Sequence, residues 1–166
     1  MIVLETERLT LRRVMLDDAA FVLQVLNDPG YIRFIADRGV RTVEDAARYI
    51  AEKFLPSFER HGFGFYIMEL KSDGTPMGMC GLIKRDTLDD VDVGYSLLEP
   101  FWGNGYAVEA ARAVVDYGRR VIGLPRVVGI TAPDNDASGK VLEKIGLRYE
   151  KMIHLPEYEG GSRLFT

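Results

Sequence analysis

The sequence lacks the features that mark several common classes of protein. It has one cysteine, Cys80, so no disulfide can form within the chain. Cys80 lies in an apolar, strand-like run over residues 77–83, where we expect a buried small side chain rather than a nucleophile. No apolar run approaches the roughly 20 residues that a membrane-spanning helix requires. Residues 1–6 lack the basic and apolar regions of a signal peptide, so we expect a cytoplasmic protein with no membrane partner.

Charge and histidine content exclude further classes. The net charge is −4 at pH 7, so no overall basic footprint supports nucleic-acid binding. The two histidines and the single cysteine form no cluster with metal-ligand spacing, and we expect no metal site. What is present is a chain of 166 residues with 47% hydrophobic and 10% aromatic content. This length and composition predict one globular domain spanning residues 1–166.

The chain is organised around residues 91–111. From position 91 to 95, apolar residues alternate with polar or small ones, which predicts a strand. Pro100 ends that strand because proline has no N–H to give to a ladder. Apolar residues then recur at three- and four-residue spacing from position 107 to 115, which predicts a helix. Gly103 and Gly105 lie in the turn that joins the two elements.

A helix that begins after a glycine-bearing turn is suited to bind phosphate. Its first N–H groups lack partners and form the positive end of the helix dipole. Gly103 and Gly105 have no Cβ atoms to hold the oxygens of a ligand away. The alternative is a turn that only leads into a helix. A dinucleotide fingerprint does not fit, since Val108 stands at its last position, and the Gly-Lys-Ser/Thr of a P-loop is absent.

Two local motifs resemble one known family. Trp102-Gly103-Asn104-Gly105-Tyr106-Ala107 resembles the pattern Q/R-x-x-G-x-G/A of the GNAT superfamily, the acyl-CoA-dependent N-acetyltransferases, although Trp102 departs from the usual Gln or Arg. With Gly94-Tyr95 and Glu109-Ala110, the string resembles the subgroup that includes the bacterial ribosomal-protein alanine acetyltransferases. Further on, Asn135-Asp136-Ala137-Ser138 and the following residues 141–147 are similar to the family's N-x-x-S segment before K-x-G-F.

The order of elements predicts an α+β fold. Strands and helices follow one another as β-α-α-β-β-β-α-β-α-β-β, which indicates a mixed, mostly antiparallel sheet with helices on both faces. One strand-helix-strand unit, from position 91 to 132, predicts a parallel pair. The resemblance implies the GNAT fold over nearly the whole chain, with the sheet splayed at that parallel pair and acyl-CoA bound in the gap.

The resemblance also implies acetyl-CoA as cosubstrate and assigns the residues that bind it. Backbone N–H groups would hold the pyrophosphate, and the edge of the preceding strand would pair with the pantetheine amides. The residues expected at the pyrophosphate are Gly103, Asn104, Gly105, Tyr106 and Ala107. Those expected along the pantetheine are Ser96, Leu97 and Leu98. Asn135 corresponds to the family asparagine that contacts the CoA arm, and helix N-capping is its alternative role.

Acetyl transfer to an amine needs a deprotonated nucleophile and an acid for the leaving thiolate. Direct attack in a ternary complex is the family's usual mechanism. The resemblance suggests Ser138 as the acid. The alternative is that its hydroxyl only caps the helix or forms a local hydrogen bond. Tyr149 is the phenolic alternative used elsewhere in the superfamily. Asp92 is the best candidate for the base. The alternative is that Asp92 and the nearby aspartates only form a solvated acidic hairpin.

The acceptor pocket should be framed by residues 31–41 and 155–161, because these connections flank the expected splay. The leading hypothesis is an N-acetyltransferase for a protein N-terminal α-amine. A second is an enzyme acting on a small-molecule amine such as an antibiotic or a metabolite. A third is an acyl-CoA-binding module without catalysis. The resemblance allows either a monomer or a homodimer.

Overall fold

The computed structural model describes all residues, from Met1 to Thr166, and contains eight strands and six α-helices. The strands are β1 (Ile2–Glu5), β2 (Leu9–Arg13), β3 (Phe65–Leu70), β4 (Pro76–Ile83), β5 (Val91–Leu97), β6 (Val127–Thr131), β7 (Tyr149–Ile153) and β8 (Ser162–Phe165). The helices are α1 (Ala19–Leu26), α2 (Pro29–Phe34), α3 (Val43–Tyr49), α4 (Leu55–His61), α5 (Tyr106–Tyr117) and α6 (Asp136–Lys144). None of these helices is long and apolar enough to cross a bilayer.

The strands form one mixed sheet in the order β1-β2-β3-β4-β5-β6-β8-β7. Every neighbouring pair is antiparallel except β5 and β6, which are parallel. Helix α5 connects this parallel pair, as a crossover between parallel strands must. The predicted α+β architecture, mostly antiparallel with one parallel pair, is therefore confirmed.

The parallel strands meet at one end only. Their pairing consists of Val91 with Val127 and Asp92 with Val128, although β5 continues to Leu97. Beyond Asp92 the two strands diverge, and their backbone groups no longer pair with each other. The sheet is thus splayed at the parallel pair, and Asp92 lies where the gap begins.

Helices cover both faces of the sheet. On one face the end of α5 places Tyr117 against Tyr66, and the adjoining Gly118 packs against Leu82. Phe65 precedes Tyr66 in β3 and therefore points to the opposite face. Its ring contacts Phe54 at a centroid distance of 5.3 Å. Phe54 ends a π-helical segment, Ile50–Phe54, which joins α3 to α4.

Two short elements were not predicted from the sequence. Strand β1 extends the sheet by one strand at its edge. Helix α2 occupies the start of the connection expected over residues 31–41, and the Asp28 carboxylate caps it by accepting from the Gly30 N–H at 3.1 Å. This helix narrows the gap from the side opposite α5 and α6.

Candidate active site

The gap between β5 and β6 opens into a cleft of about 1340 Å³. Its walls come from α2, from β5 and the turn after it, from the start of α6 and from the loop between β7 and β8. Because β5 contributes backbone that is not paired with β6, a ligand in this cleft can reach strand edge as well as side chains. The cleft extends to both faces of the sheet.

The glycine-bearing turn presents a run of backbone N–H groups to this cleft. Gly103 and Gly105 have φ values of +79° and +80°, a left-handed conformation that other residues rarely adopt. Gly105 is the N-cap of α5. None of the N–H groups of residues 103–108 has a hydrogen-bond acceptor within the protein. Five of these six residues, all but Asn104, line the cleft, so the turn can bind an anion there.

A hydrogen-bonded brace holds this turn to the N-terminal hairpin. The Glu109 carboxylate, in the first turn of α5, accepts from the Thr6 hydroxyl at 2.5 Å and from Arg8 Nε at 2.8 Å. Arg8 Nη1 in turn donates to the Asn104 carbonyl at 3.0 Å. Burial raises the pKa of Glu109, but the hydrogen bonds from Thr6 and Arg8 outweigh it, and the pKa is lowered overall. The Glu109 carboxylate is therefore ionised, and its ion pair with Arg8 fixes the start of α5.

Asn104 belongs to this brace rather than to the cleft wall. Its side-chain amide donates to the Trp102 carbonyl at 3.1 Å and to the Phe101 carbonyl at 3.3 Å. These bonds shape the loop from within. Its contribution to an anion site would come through loop conformation and its own N–H.

Trp102 lies across the cleft. Its indole Nε1 donates to the Leu97 carbonyl at 2.6 Å. Its ring also contacts α2, since a Cβ built on Gly30 would lie 3.0 Å from Trp102 Cζ2. The side chain is half-exposed and spans from β5 to α2. Of the three predicted pantetheine-binding residues, Ser96 and Leu97 line the cleft, whereas Leu98 is buried and donates its N–H to the Met77 carbonyl.

The start of α6 forms another part of the wall. Asn135 Oδ1 accepts from the Ser138 N–H at 3.1 Å, which is the N-capping role foreseen for it, and Asn135 also lines the cleft. Arg163 fixes this segment by donating to the Asn135 carbonyl at 2.7 Å and to Thr131 Oγ1 at 3.1 Å. Ser138 is thereby held at the cleft wall on the first turn of the helix.

Sequence reasoning missed the partner of Ser138. The Tyr95 hydroxyl lies 2.6 Å from Ser138 Oγ, and both side chains line the cleft. Burial raises the pKa of Tyr95, and its bond to Ser138 only partly opposes this, so the phenol stays protonated. In the sequence, Tyr95 carries strand periodicity and part of a motif, neither of which indicates contact with a residue on α6.

The structure brings Asp92 into a buried ion pair. The side chain of Asp92 is only 1% exposed, and its carboxylate accepts from Arg85 Nε at 2.9 Å and from Nη2 at 3.4 Å. Burial raises the pKa of Asp92, and the Arg85 guanidinium opposes that rise. The alternative of a solvated acidic hairpin is wrong for Asp92, although Asp86 and Asp89 on the same hairpin are exposed.

Tyr149 lies apart from the other candidates. It is half-exposed on β7, packs edge-on against Phe165 at 5.9 Å and does not line the cleft. Its position lends no support to a role as acid. The two connections expected to frame an acceptor do border the cleft, through Tyr31 and Phe34 on one side and Tyr158 on the other.

Comparisons with known proteins identify a family. A family model described as acetyltransferase (GNAT) domain matches residues 8–148. The uncharacterized protein YkkB of Bacillus subtilis is 31% identical over 90% of this chain and 87% of its own length. The uncharacterized N-acetyltransferase p20 of Bacillus licheniformis is 31% identical over 94% of this chain and 86% of its own. RimL, a ribosomal L7/L12 α-N-protein acetyltransferase solved in complex with coenzyme A, shares the fold with a TM-score of 0.84 and 18% identity, covering 99% of this chain and 96% of RimL.

Proposed function

Since the chain belongs to the GNAT family of N-acetyltransferases, we propose that it transfers an acetyl group from acetyl-CoA directly to a primary amine. The observation that carries this proposal is the run of unpartnered N–H groups over residues 103–108, which faces the cleft at the start of α5. Such a run suits the pyrophosphate of CoA, because it offers donors and a favourable dipole.

The arm of CoA would run from this turn along the unpaired edge of β5. Ser96 and Leu97 line the cleft there. The backbone groups of Leu97 point away from β4 and can pair with an amide as an added strand would. The Leu97 carbonyl is held by Trp102, so pairing at this carbonyl requires the indole to move. Asn135, on the opposite wall, is the remaining candidate for contact with the arm.

Ser138 is the proposed acid for the departing thiolate, with Tyr95 behind it. The two hydroxyls share a hydrogen bond in which either can be the donor. In the proposed mechanism the phenol donates to Ser138 Oγ, which leaves the serine proton free for the sulfur. A hydrogen bond received by Ser138 strengthens the one that it donates. This pair of half-buried hydroxyls favours an enzyme over a module that only binds acyl-CoA.

Asp92 is the proposed base for the acceptor. The incoming ammonium must lose a proton before its nitrogen attacks the thioester carbon, and then a C–N bond forms while the C–S bond breaks. Asp92 lies where β5 and β6 part, and its raised pKa improves it as a proton acceptor. Cys80 cannot serve as an intermediate acyl carrier, because it is fully buried and burial raises the pKa of its thiol.

The test is thiol release from acetyl-CoA, with and without a panel of small amines and peptides. Release that depends on an amine, together with acetylated amine detected by mass spectrometry, is the expected result. Release without any amine would point to an acyl-enzyme and contradict direct transfer. Binding of CoA without turnover of any amine would favour the non-catalytic module.

A further inference from the structure

The two sides of the cleft differ in chemistry. Tyr95 points to the face of the sheet that carries α5, together with Cys80 opposite it on β4. Asp92 and Gly94 point to the other face, where their partners on β4 are Ile83 and Gly81. The cleft on this second face is therefore separate from the hydroxyl pair, and the two sides communicate through the gap beyond Asp92.

Aromatic rings surround the compartment on this second face. Tyr49, Phe54 and Phe65 form a continuous row, with ring centroids 5.2 and 5.3 Å apart, and all three line the cleft. Tyr31 lines it from α2 and Tyr158 from the loop between β7 and β8. At the floor, the missing side chain of Gly94 leaves the Ile83 and Phe65 side chains close to the backbone of β5. The compartment is thus an aromatic box beside the backbone where transfer takes place.

Two of the charged side chains that border the box, Asp92 and Arg85, are paired with each other. The Asp92 carboxylate is bound to Arg85, and Glu157 accepts from Thr87 Oγ1 at 2.9 Å. Arg85 Nη1 donates to the Tyr158 hydroxyl at 3.2 Å. Glu159 also lines the cleft, and it forms no ion pair. The rings, rather than the charges, therefore carry the selectivity of the box.

The loop over residues 154–161 also limits the size of an acceptor. The Thr87–Glu157 and Arg85–Tyr158 contacts fasten it to the hairpin between β4 and β5. A polypeptide terminus entering from this end would have to release both contacts, whereas a small molecule would not. Tyr49 is a further discriminating residue, because its hydroxyl has no hydrogen-bond partner in the protein and its ring faces the cleft.

Building on the proposed function, we propose that the acceptor is a small amine whose amino group is carried on an aromatic or apolar body. The body lies among the rings of the box, where it gains apolar burial and aromatic contact. Its amine points through the gap beside Asp92 toward the thioester. Of the two acceptor classes open from the sequence, the box favours the small amine over the protein N-terminus.

The experiment compares kcat/KM for four acceptors: 2-phenylethylamine, ethanolamine, spermidine and a tetrapeptide that begins with alanine. The expected result is a preference on the order of 10²-fold for 2-phenylethylamine over ethanolamine, as a hydrophobic pocket gives for an apolar group. Tyr49→Ser should reduce that preference about tenfold, chiefly through KM. The matched control, Tyr117→Ser, removes a tyrosine at the end of α5 that packs against Tyr66 outside the cleft, and it should leave the preference unchanged.

The preference is the ratio of kcat/KM for 2-phenylethylamine to kcat/KM for ethanolamine. This ratio is independent of how much enzyme is folded, so a loss of stability alone cannot change it. Faster turnover of the peptide or of spermidine than of 2-phenylethylamine would overturn the inference and leave the acetyltransferase proposal intact. An unchanged preference in Tyr49→Ser would also overturn it. Turnover of no amine at all, with CoA still bound, would instead contradict the proposed function and the inference with it.

Discussion

The hydroxyl of Tyr95 lies 2.6 Å from Oγ of Ser138, although 43 residues separate them in sequence. One residue belongs to the strand that borders the gap and the other to the first turn of α6. The contact joins the two walls of the cleft at the point where the proposed mechanism requires a proton donor for the thiolate. It also keeps a polar pair satisfied in a largely apolar interior.

Replacing Tyr95 by Phe should lower kcat about tenfold with little change in the affinity for CoA, because the serine would lose the donor that polarises it. Ser138→Ala should lower kcat by about 10²-fold. If the two hydroxyls act as a unit, the double variant should be no slower than Ser138→Ala alone. Steady-state thiol release measures all three, and additive losses would mean that Tyr95 acts independently of the serine.

Gly105→Val should abolish CoA binding. Valine at φ +80° is strained, so the turn must change conformation and withdraw its N–H groups from the cleft. Gly62, at φ +78° after α4, offers a matched control, since it has similar backbone geometry and lies outside the cleft. Calorimetric titration should find no binding to Gly105→Val and undiminished binding to Gly62→Val. Equal affinities for the two variants would exclude the turn as the pyrophosphate site.

Trp102 should report CoA binding by its fluorescence. It is the only tryptophan, and its indole donates to the Leu97 carbonyl, which is a predicted partner of the pantetheine arm. Binding should therefore break this bond and change the emission in a saturable way. Trp102→Phe should still bind CoA by calorimetry while giving no such signal. A constant emission alongside calorimetric binding would mean that the arm follows another path.

Asp92→Asn should remove the acidic limb of the kcat/KM profile. A base must be deprotonated to act, so activity falls as pH drops through its pKa, and burial sets the pKa of Asp92 above its ordinary value. The variant also leaves Arg85 buried without its carboxylate, which costs about 3 kcal/mol of stability.

A double variant separates these two effects. Asp92→Asn with Arg85→Met removes both charges and should recover most of the stability while remaining inactive. Thermal unfolding and thiol release would be measured on the same samples. Recovery of activity along with stability would assign Asp92 a purely structural role.

The sequence predicted those features that depend on local pattern. Strand alternation, the glycine turn and helical spacing gave the single parallel pair and the order of the elements other than β1 and α2, and these are observed. Strand β1 has only four residues and pairs with β2 through an irregular register, which leaves too short a pattern to detect. Helix α2 has only six residues, and it was missed for the same reason.

Local patterns do not predict which side chains meet when the elements pack together. The Tyr95–Ser138 contact depends on how α6 packs beside β5, and the Asp92–Arg85 pair depends on the register of two neighbouring strands. The orientation of Tyr149 follows from an irregularity in the pairing of β7 with β8. One inserted residue reverses the face to which a strand side chain points.

The central claim is that the cleft beside the glycine turn binds acyl-CoA, and calorimetric titration of the purified protein with CoA tests it most directly. The account predicts saturable binding of one CoA per chain, since the chain has one glycine turn of this kind at the gap between β5 and β6. Absence of heat and of any change in Trp102 fluorescence, at CoA concentrations up to the millimolar range typical of weak ligands, would contradict it.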